Sequence, residues 1–345
     1  MANPWGLGRS SYPRSGCERR PQGSRLARSG RAVRPGVLIL QIIQRGLLAA
    51  VCAAGLVAHA SGAARPGSPV HPKAALQADW CQRFADRLDS LSLDTCRQSG
   101  LTPSGTNSVQ GFPILQRQIL PAKAGKDRKQ AIRVLLLGGI HGDELTSPAI
   151  VFKWMQWIHL APAQDFHWSV APVVNPDGFL TGKPKRMNAN GVDLNRNFPT
   201  PGWHQEAPQY WIKRTGRDPR RYPGEQPLSE PESRWVNDEI ARFKPDVVIS
   251  VHAPFGVLDF DGPVQPPRNF GRLVFTPVGV YPGSLGNYSG MHKKVPIITI
   301  ELPNALAMPS EAESRRIWQD MLSWIQRNVP QKREAATAIR QVAAK

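Results

Sequence analysis

The stretch RVLLLGGIHGDE at 133–144 constrains the fold of this 345-residue chain more than any other. Its apolar run at 134–137 reads as a buried strand, which Gly138 and Gly139 break. His141 and Glu144 follow at once. Behind them Ala149, Ile150, Phe152, Trp154, Met155, Trp157 and Ile158 make a helix that is apolar over much of its circumference. A strand end that delivers His-x-x-Glu places two metal ligands on a rigid edge. A catalytic zinc usually takes three protein ligands and leaves one position open. His252 supplies the third, since it directly follows the apolar segment 246–251. Two His and one Glu are a donor set suited to one Zn2+ ion.

Strand patterns at 113–120, 132–137, 166–174, 246–251 and 295–302 alternate with helical ones after Glu144 and at 231–243 and 310–328. That alternation predicts a single α/β domain with a covered sheet. NPDG at 175–178 is a turn signature, and Pro231 with Glu230 and Glu232 marks a helix start, acids toward the positive end of the dipole. Trp80, Phe84, Leu88 and Leu91 give a short amphipathic helix over 77–93. The basic loop at 121–129 reads as a solvated turn. Two loops, 199–229 and 253–294, are longer than connection needs, and such loops are usually functional walls or lids. His159 and His292 read as a helix-end and a loop histidine rather than ligands.

The N-terminus is of another kind. Residues 1–36 are rich in Arg, Gly, Ser and Pro with no apolar period, and so are expected to be disordered. Residues 37–63 carry Arg45, an apolar run at 46–57 and small residues ending at Ala60 and Ala63, the order of a cleaved secretory signal. The apolar core is too short for a membrane span. Translation beginning near Val37 would account for the Arg-rich extension. Residues 1–63 hold nine Arg and one acid, contributing +8 of the formal net charge of +18. No nucleic-acid-binding motif accompanies that charge, and no nucleic-acid partner is expected. Cys17 and Cys52 fall in the leader, leaving Cys81 and Cys96 either as one disulfide or as two buried thiols. The division is thus an extension (1–36), a signal peptide (37–63), a linker with a short helical segment (64–108), a catalytic domain (109–328) and a basic tail (329–345).

Three further segments give a resemblance. NPDG at 175–178, NGVDLNRNFP at 190–199 and IELP at 300–303 follow the metal motif in the order of the zinc metallocarboxypeptidase family. RMNANGVDLNR at 186–196, SEPE at 229–232 and PGSLG at 282–286 look like the bacterial murein peptide amidases within it. The resemblance covers roughly 109–328 and implies a mixed β-sheet flanked by helices on both faces. It implies His141, Glu144 and His252 as zinc ligands and Glu301 as the general base that takes a proton from the attacking water and returns it to the leaving amine. It implies Arg186 as the stabiliser of the oxyanion, and Asn195 with Arg196 as the pair that binds a substrate carboxylate. Asp193 and Asn197 are expected to brace the loop. Tyr281 and Tyr288 are both candidates for the family's mobile tyrosine, and side-chain specificity falls near 283–288. The implied activity is hydrolysis of the γ-D-glutamyl–meso-diaminopimelate amide in murein peptides, in the periplasm or outside the cell. The alternatives are a general carboxypeptidase and an inactive relative that binds cell-wall peptide.

Overall fold

The computed structural model describes residues 72–122 and 131–329. The expected leader, most of the basic loop and the basic tail lie outside these residues. The described residues belong to one compact unit. Two helices, α1 (Pro72–Arg87) and α2 (Leu93–Gln98), precede β1 (Thr102–Asn107), β2 (Pro113–Ile119) and β3 (Arg133–Leu137). Then come α3 (Thr146–Trp157), β4 (His167–Ala171), α4 (Pro176–Leu180), α5 (Trp203–Arg214), α6 (Pro231–Phe243) and β5 (Val247–His252). The chain closes with β6 (Val257–Asp261), β7 (Asn269–Phe270), β8 (Leu273–Phe275), β9 (Ile297–Glu301) and α7 (Glu311–Asn328). Among the described residues no helix is long and apolar enough to cross a membrane.

The nine strands make one mixed sheet in the order β1-β2-β4-β3-β5-β9-β6-β8-β7. Its centre, β4-β3-β5-β9, is parallel. Apolar runs without alternation suit such strands because both faces are covered. In β3, Val134 and Leu136 join the core beneath α3 and α7, while Leu135 and Leu137 join the one beneath α6. Trp318 of α7 stacks between Trp154 of α3 and Trp168 of β4, each at 5.5 Å, and so locks two helices to the sheet. Ser310 caps α7 by accepting from the Glu313 N–H.

Two expectations need correcting. The domain does not begin at 109. Trp80, Phe84, Leu88 and Leu91 pack into the main core, and β1 pairs with β2. Nor are the long segments structureless: 199–229 holds α5, and 253–294 holds β6, β7, β8 and a π-helical turn at Asn287–His292. α5 carries Pro208 in its interior and buries only Trp203 and Ala207, so no apolar stripe marks it. The acids of β6 interrupt what would otherwise be an apolar run.

Cys81 and Cys96 are bonded, with their Cα atoms 5.4 Å apart. Closing a loop of this size stabilises the fold by about 3 kcal/mol. Replacing both by Ser should therefore lower the thermal midpoint by several degrees, roughly 5 °C for a domain this large. Differential scanning calorimetry with and without reductant checks this, because only the parent protein should respond to reduction.

Candidate metal centre and active site

β3, β5 and β9 all end at the same edge of the sheet. From β3 the chain runs through α3 to β4 on one side, whereas β5 lies on the other. This is a topological switch point, where open α/β sheets form a crevice outside the carboxyl ends of their strands. His141 follows β3, and His252 ends β5 directly opposite Glu301 of β9. The turn that carries His141 and Glu144 packs on the NPDG turn. A Cβ on Gly142 would come within 2.2 Å of the Gly178 carbonyl carbon, so only glycine fits there. Asn175 caps α4 by accepting from the Gly178 N–H, and its Nδ2 donates to the carbonyls of Ile140 and Arg186. One side chain thus ties the end of β3 to the arginine loop.

The three expected ligands converge in a buried cluster. His141 Nδ1 lies 2.8 Å from Glu144 Oε1, His252 Nδ1 lies 3.1 Å from Glu144 Oε2, and the two Nδ1 atoms are 3.1 Å apart. Three lone-pair donors so close repel one another unless a proton or cation lies among them. The outer nitrogens are already engaged. His141 Nε2 meets Asp193 Oδ1 at 3.1 Å and His252 Nε2 meets Ser250 Oγ at 2.9 Å. A proton on each Nε2 satisfies these contacts and turns both Nδ1 lone pairs inward, the tautomer a metal requires. The residues present fit a zinc ion. Burial opposes ionisation of Glu144, but His141 and His252 outweigh it and hold the carboxyl well below its usual range. Burial and Arg186 disfavour charge on His141, yet Glu144 and Asp193 prevail and raise it.

A cavity of about 360 Å³ opens beside this cluster. Arg186, Asn195, Arg196 and Glu301 line it together with His141 and Glu144. Arg186 Nη1 lies 3.1 Å from His141 Nδ1, and its Nε and Nη2 donate to Asp193 Oδ2. Arg196 is buried, lies 4.7 Å over the Tyr281 ring, and has an Nε with no partner. Asn195 Oδ1 accepts from the Leu285 N–H. Glu301 is also buried, and its Oε2 is unpartnered. Burial raises Glu301 above the usual carboxylate range, although His252 works the other way.

A profile of the zinc carboxypeptidase family (peptidase M14) matches residues 102–258. Murein peptide amidase A of Vibrio campbellii is 32% identical over 211 residues, which span 59% of this chain and 80% of that protein. The chain belongs to the zinc carboxypeptidase family. The Escherichia coli K12 protein named murein peptide amidase A is 35% identical over 168 residues, 47% of this chain and 64% of that one. A crystal structure of thrombin activatable fibrinolysis inhibitor, 18% identical, aligns over 72% of this chain and 70% of that one with a TM-score of 0.50, and shares the fold. The nine-stranded mixed sheet is therefore that of the family, as is the His-x-x-Glu and His metal triad.

Family resemblance left Asp193 as a loop brace. The structure gives it more: its fully buried carboxylate joins His141 to Arg186, and although burial opposes its charge, the Arg186 guanidinium and the contact with His141 hold it well below the usual range. Of the two tyrosines, Tyr281 lines the cavity, whereas Tyr288 stacks on Phe198 and donates its hydroxyl to Asn237. Glu230 and Glu232 do not cap α6 with their side chains; they accept from Asn188 Nδ2 and hold the 186–197 loop. Asn188 Oδ1 in turn accepts from the N–H groups of Asn190 and Val192. His292 is exposed, and so is His159.

Asp193→Asn keeps the shape of that side chain and removes its charge. Zinc affinity should fall roughly ten- to a hundredfold, as measured by competition with a chromogenic chelator. Glu232 offers a test by pH. Burial, aided by Asp177, pushes its carboxyl up to about 7. A folded-state pKa above the unfolded value means stability is fullest below the unfolded pKa and is lost as pH rises through the folded one. Between about pH 4.5 and 7 the parent should lose stability relative to Glu232→Gln, by on the order of 3 kcal/mol. Urea unfolding of both proteins across that range measures the difference.

Proposed function

We propose that the protein is a zinc-dependent hydrolase that cleaves the γ-D-glutamyl–meso-diaminopimelate amide of murein peptides, with Glu301 as general base. The observation that carries the mechanism is Glu301 itself, whose buried Oε2 has no partner and which stands opposite His252 in the register. The likeness to two proteins named murein peptide amidase A supports the substrate. His141, Glu144 and His252 would hold a zinc ion, which would supply Lewis acidity toward the scissile carbonyl and the attacking water. Arg196 and Asn195 bind the carboxylate of the leaving residue, a guanidinium being suited to paired hydrogen bonds with it. Arg186, steadied on Asp193, donates to the carbonyl oxygen as negative charge develops there. Glu301 takes the proton of the attacking water on Oε2 and gives it to the departing amine. Export belongs to the same reading. The signal-like segment 37–63 supports it, and so does the bonded pair Cys81–Cys96, since disulfides persist in oxidising compartments.

Glu301→Gln should keep its zinc while kcat falls by a factor of roughly 10² to 10⁴. A variant with full zinc content and an unaltered rate would remove Glu301 from the mechanism. For the substrate, L-Ala-γ-D-Glu-meso-diaminopimelate is offered beside blocked Phe, Lys and Glu dipeptides. Preferential release of diaminopimelate is expected. Faster cleavage of an ordinary dipeptide would make the protein a general carboxypeptidase, and tight tripeptide binding without turnover by the zinc-loaded protein would make it an inactive binder.

A further inference from the structure

The face of β6 that looks into the cavity carries two acids that the reaction does not use. β6 pairs antiparallel with β9, Val257 opposite Glu301, Asp259 opposite Thr299 and Asp261 opposite Ile297. Side chains alternate along a strand, so Val257, Asp259 and Asp261 share one face, and that face is also the one Glu301 presents. Glu301, Thr299, Asp259 and Asp261 all line the cavity. Leu258 and Phe260 turn the other way and pack in the core. Counting from the level of Glu301, the strand rise puts Asp259 about 7 Å and Asp261 about 13 Å further along. Asp259 is buried and accepts from the Phe260 N–H. Among the described residues neither acid has an ion-pair partner. The opposite wall is Gly286. A Cβ there would come within 2.2 Å of Asp261 Oδ2, so the backbone closes directly on this carboxylate.

A second observation shows that the cavity is built for a ligand with both charges. Arg196, itself buried, lines it with an unpartnered Nε and calls for an anion. A cation-seeking floor and an anion-seeking wall in one cleft match a residue with a carboxylate at one end and an ammonium at the other. The spacing agrees. A four-carbon side chain carries its ammonium roughly 6 Å beyond Cα. With the scissile amide beside Glu301, that ammonium reaches about the level of Asp259, with Asp261 next along the same face. Burial pushes Asp261 up to about 6, with Asp259 adding to it, and burial raises Asp259 as well. Carboxylates that ionise reluctantly alone gain most from a cation placed between them.

We propose that Asp259 and Asp261 select the leaving residue by binding an ammonium group on its side chain, so that the cavity takes an amino acid with a free carboxylate on Arg196 and a primary amine at the far end. This rests on the hydrolase reading above. The class includes diaminopimelate and lysine alike.

The test uses the zinc-loaded protein and one acyl group, L-Ala-γ-D-Glu, joined in turn to meso-diaminopimelate, L-lysine and L-norleucine, with hippuryl-lysine and hippuryl-norleucine as a second series. The acyl group reports on the murein reading and the leaving residue on this one, so the two can fail separately. Within whichever series is cleaved, kcat/KM for the amine-bearing residue should exceed that for norleucine on the order of ten- to a hundredfold. Asp261→Asn, and Asp259→Asn with it, should bring that ratio toward one, with zinc content and thermal unfolding as the check on folding. Should a variant not fold, the parent ratio still decides. If neither series is cleaved, calorimetric binding of free L-lysine, meso-diaminopimelate and L-norleucine replaces the rates. Norleucine processed or bound as well as lysine would overturn the proposal, as would a preference that survives in the double variant. Lysine and diaminopimelate both preferred supports recognition of the amine. Diaminopimelate alone, with lysine at the level of norleucine, overturns it in favour of recognition of the second carboxylate.

Discussion

One buried carboxylate, that of Asp193, holds the site together. It accepts from Arg186 through Nε and Nη2 and meets His141 at Nε2. Burying a charge is costly unless it is paired and hydrogen-bonded. Here both oxygens are used, one on each partner, so the cost is offset only while both partners are in place. The result couples two requirements. The histidine must turn Nδ1 inward, and the arginine is held with Nη1 beside the same point, 3.1 Å from His141 Nδ1 and 3.4 Å from Glu144 Oε1. On the proposed reading, an arginine whose Nε and Nη2 are both fixed on one buried carboxylate oxygen loses little further freedom when charge develops nearby, which makes its stabilisation effective.

Asp193 can act in this way because the loop that carries it is itself anchored. The segment from Arg186 to Asn197 has no strand or long helix of its own. Two of its backbone donors, on Asn190 and Val192, are taken by the Oδ1 of Asn188, and Asn188 is held by Glu230 and Glu232 at the start of α6. α6 packs through Trp235, Val236 and Ile240 against the Leu135 and Leu137 face of β3. A chain of contacts therefore runs from the strand that ends near His141, through a helix on one face, to the loop that orients His141. The sheet fixes the metal ligands from below and the loop fixes them from above.

Much of this was legible in the sequence where the signal is local. The strands of the parallel centre announce themselves as apolar runs, and β3 and β5 end within a residue of where their patterns stop. The triad was legible because His141 and Glu144 are three apart and His252 sits at a strand end. The parts that were not legible depend on residues brought together from afar. Asp193 lies 52 positions from His141, and nothing near it signals the contact. β1 reads Thr-Pro-Ser-Gly-Thr-Asn and has almost no strand preference; it exists because β2 offers an edge to pair with. β6 alternates correctly, but its polar positions hold acids, which a sequence reading assigns to solvent. In the structure that face is turned to a cavity instead.

The distribution of charge around that cavity follows from the same architecture. The sheet contributes three of the anions: Glu301 from β9, Asp259 and Asp261 from β6. Among the cations, Arg186 and Arg196 come from the loop above it, and Arg220 and Arg221 from the segment that follows α5. A short carboxylate on a strand has a fixed height over the sheet and can be placed by register alone. A guanidinium sits on a long, flexible stem and needs a second element to hold it, as Asp193 does for Arg186 and the Tyr281 ring does for Arg196. A substrate residue with charges of both signs then has a single favourable orientation, its carboxylate toward the loop and its amine toward the strand. Reversing it sets carboxylate against carboxylate, and like charges repel. On the proposed reading, the orientation that satisfies both walls is also the one that brings the scissile amide beside Glu301.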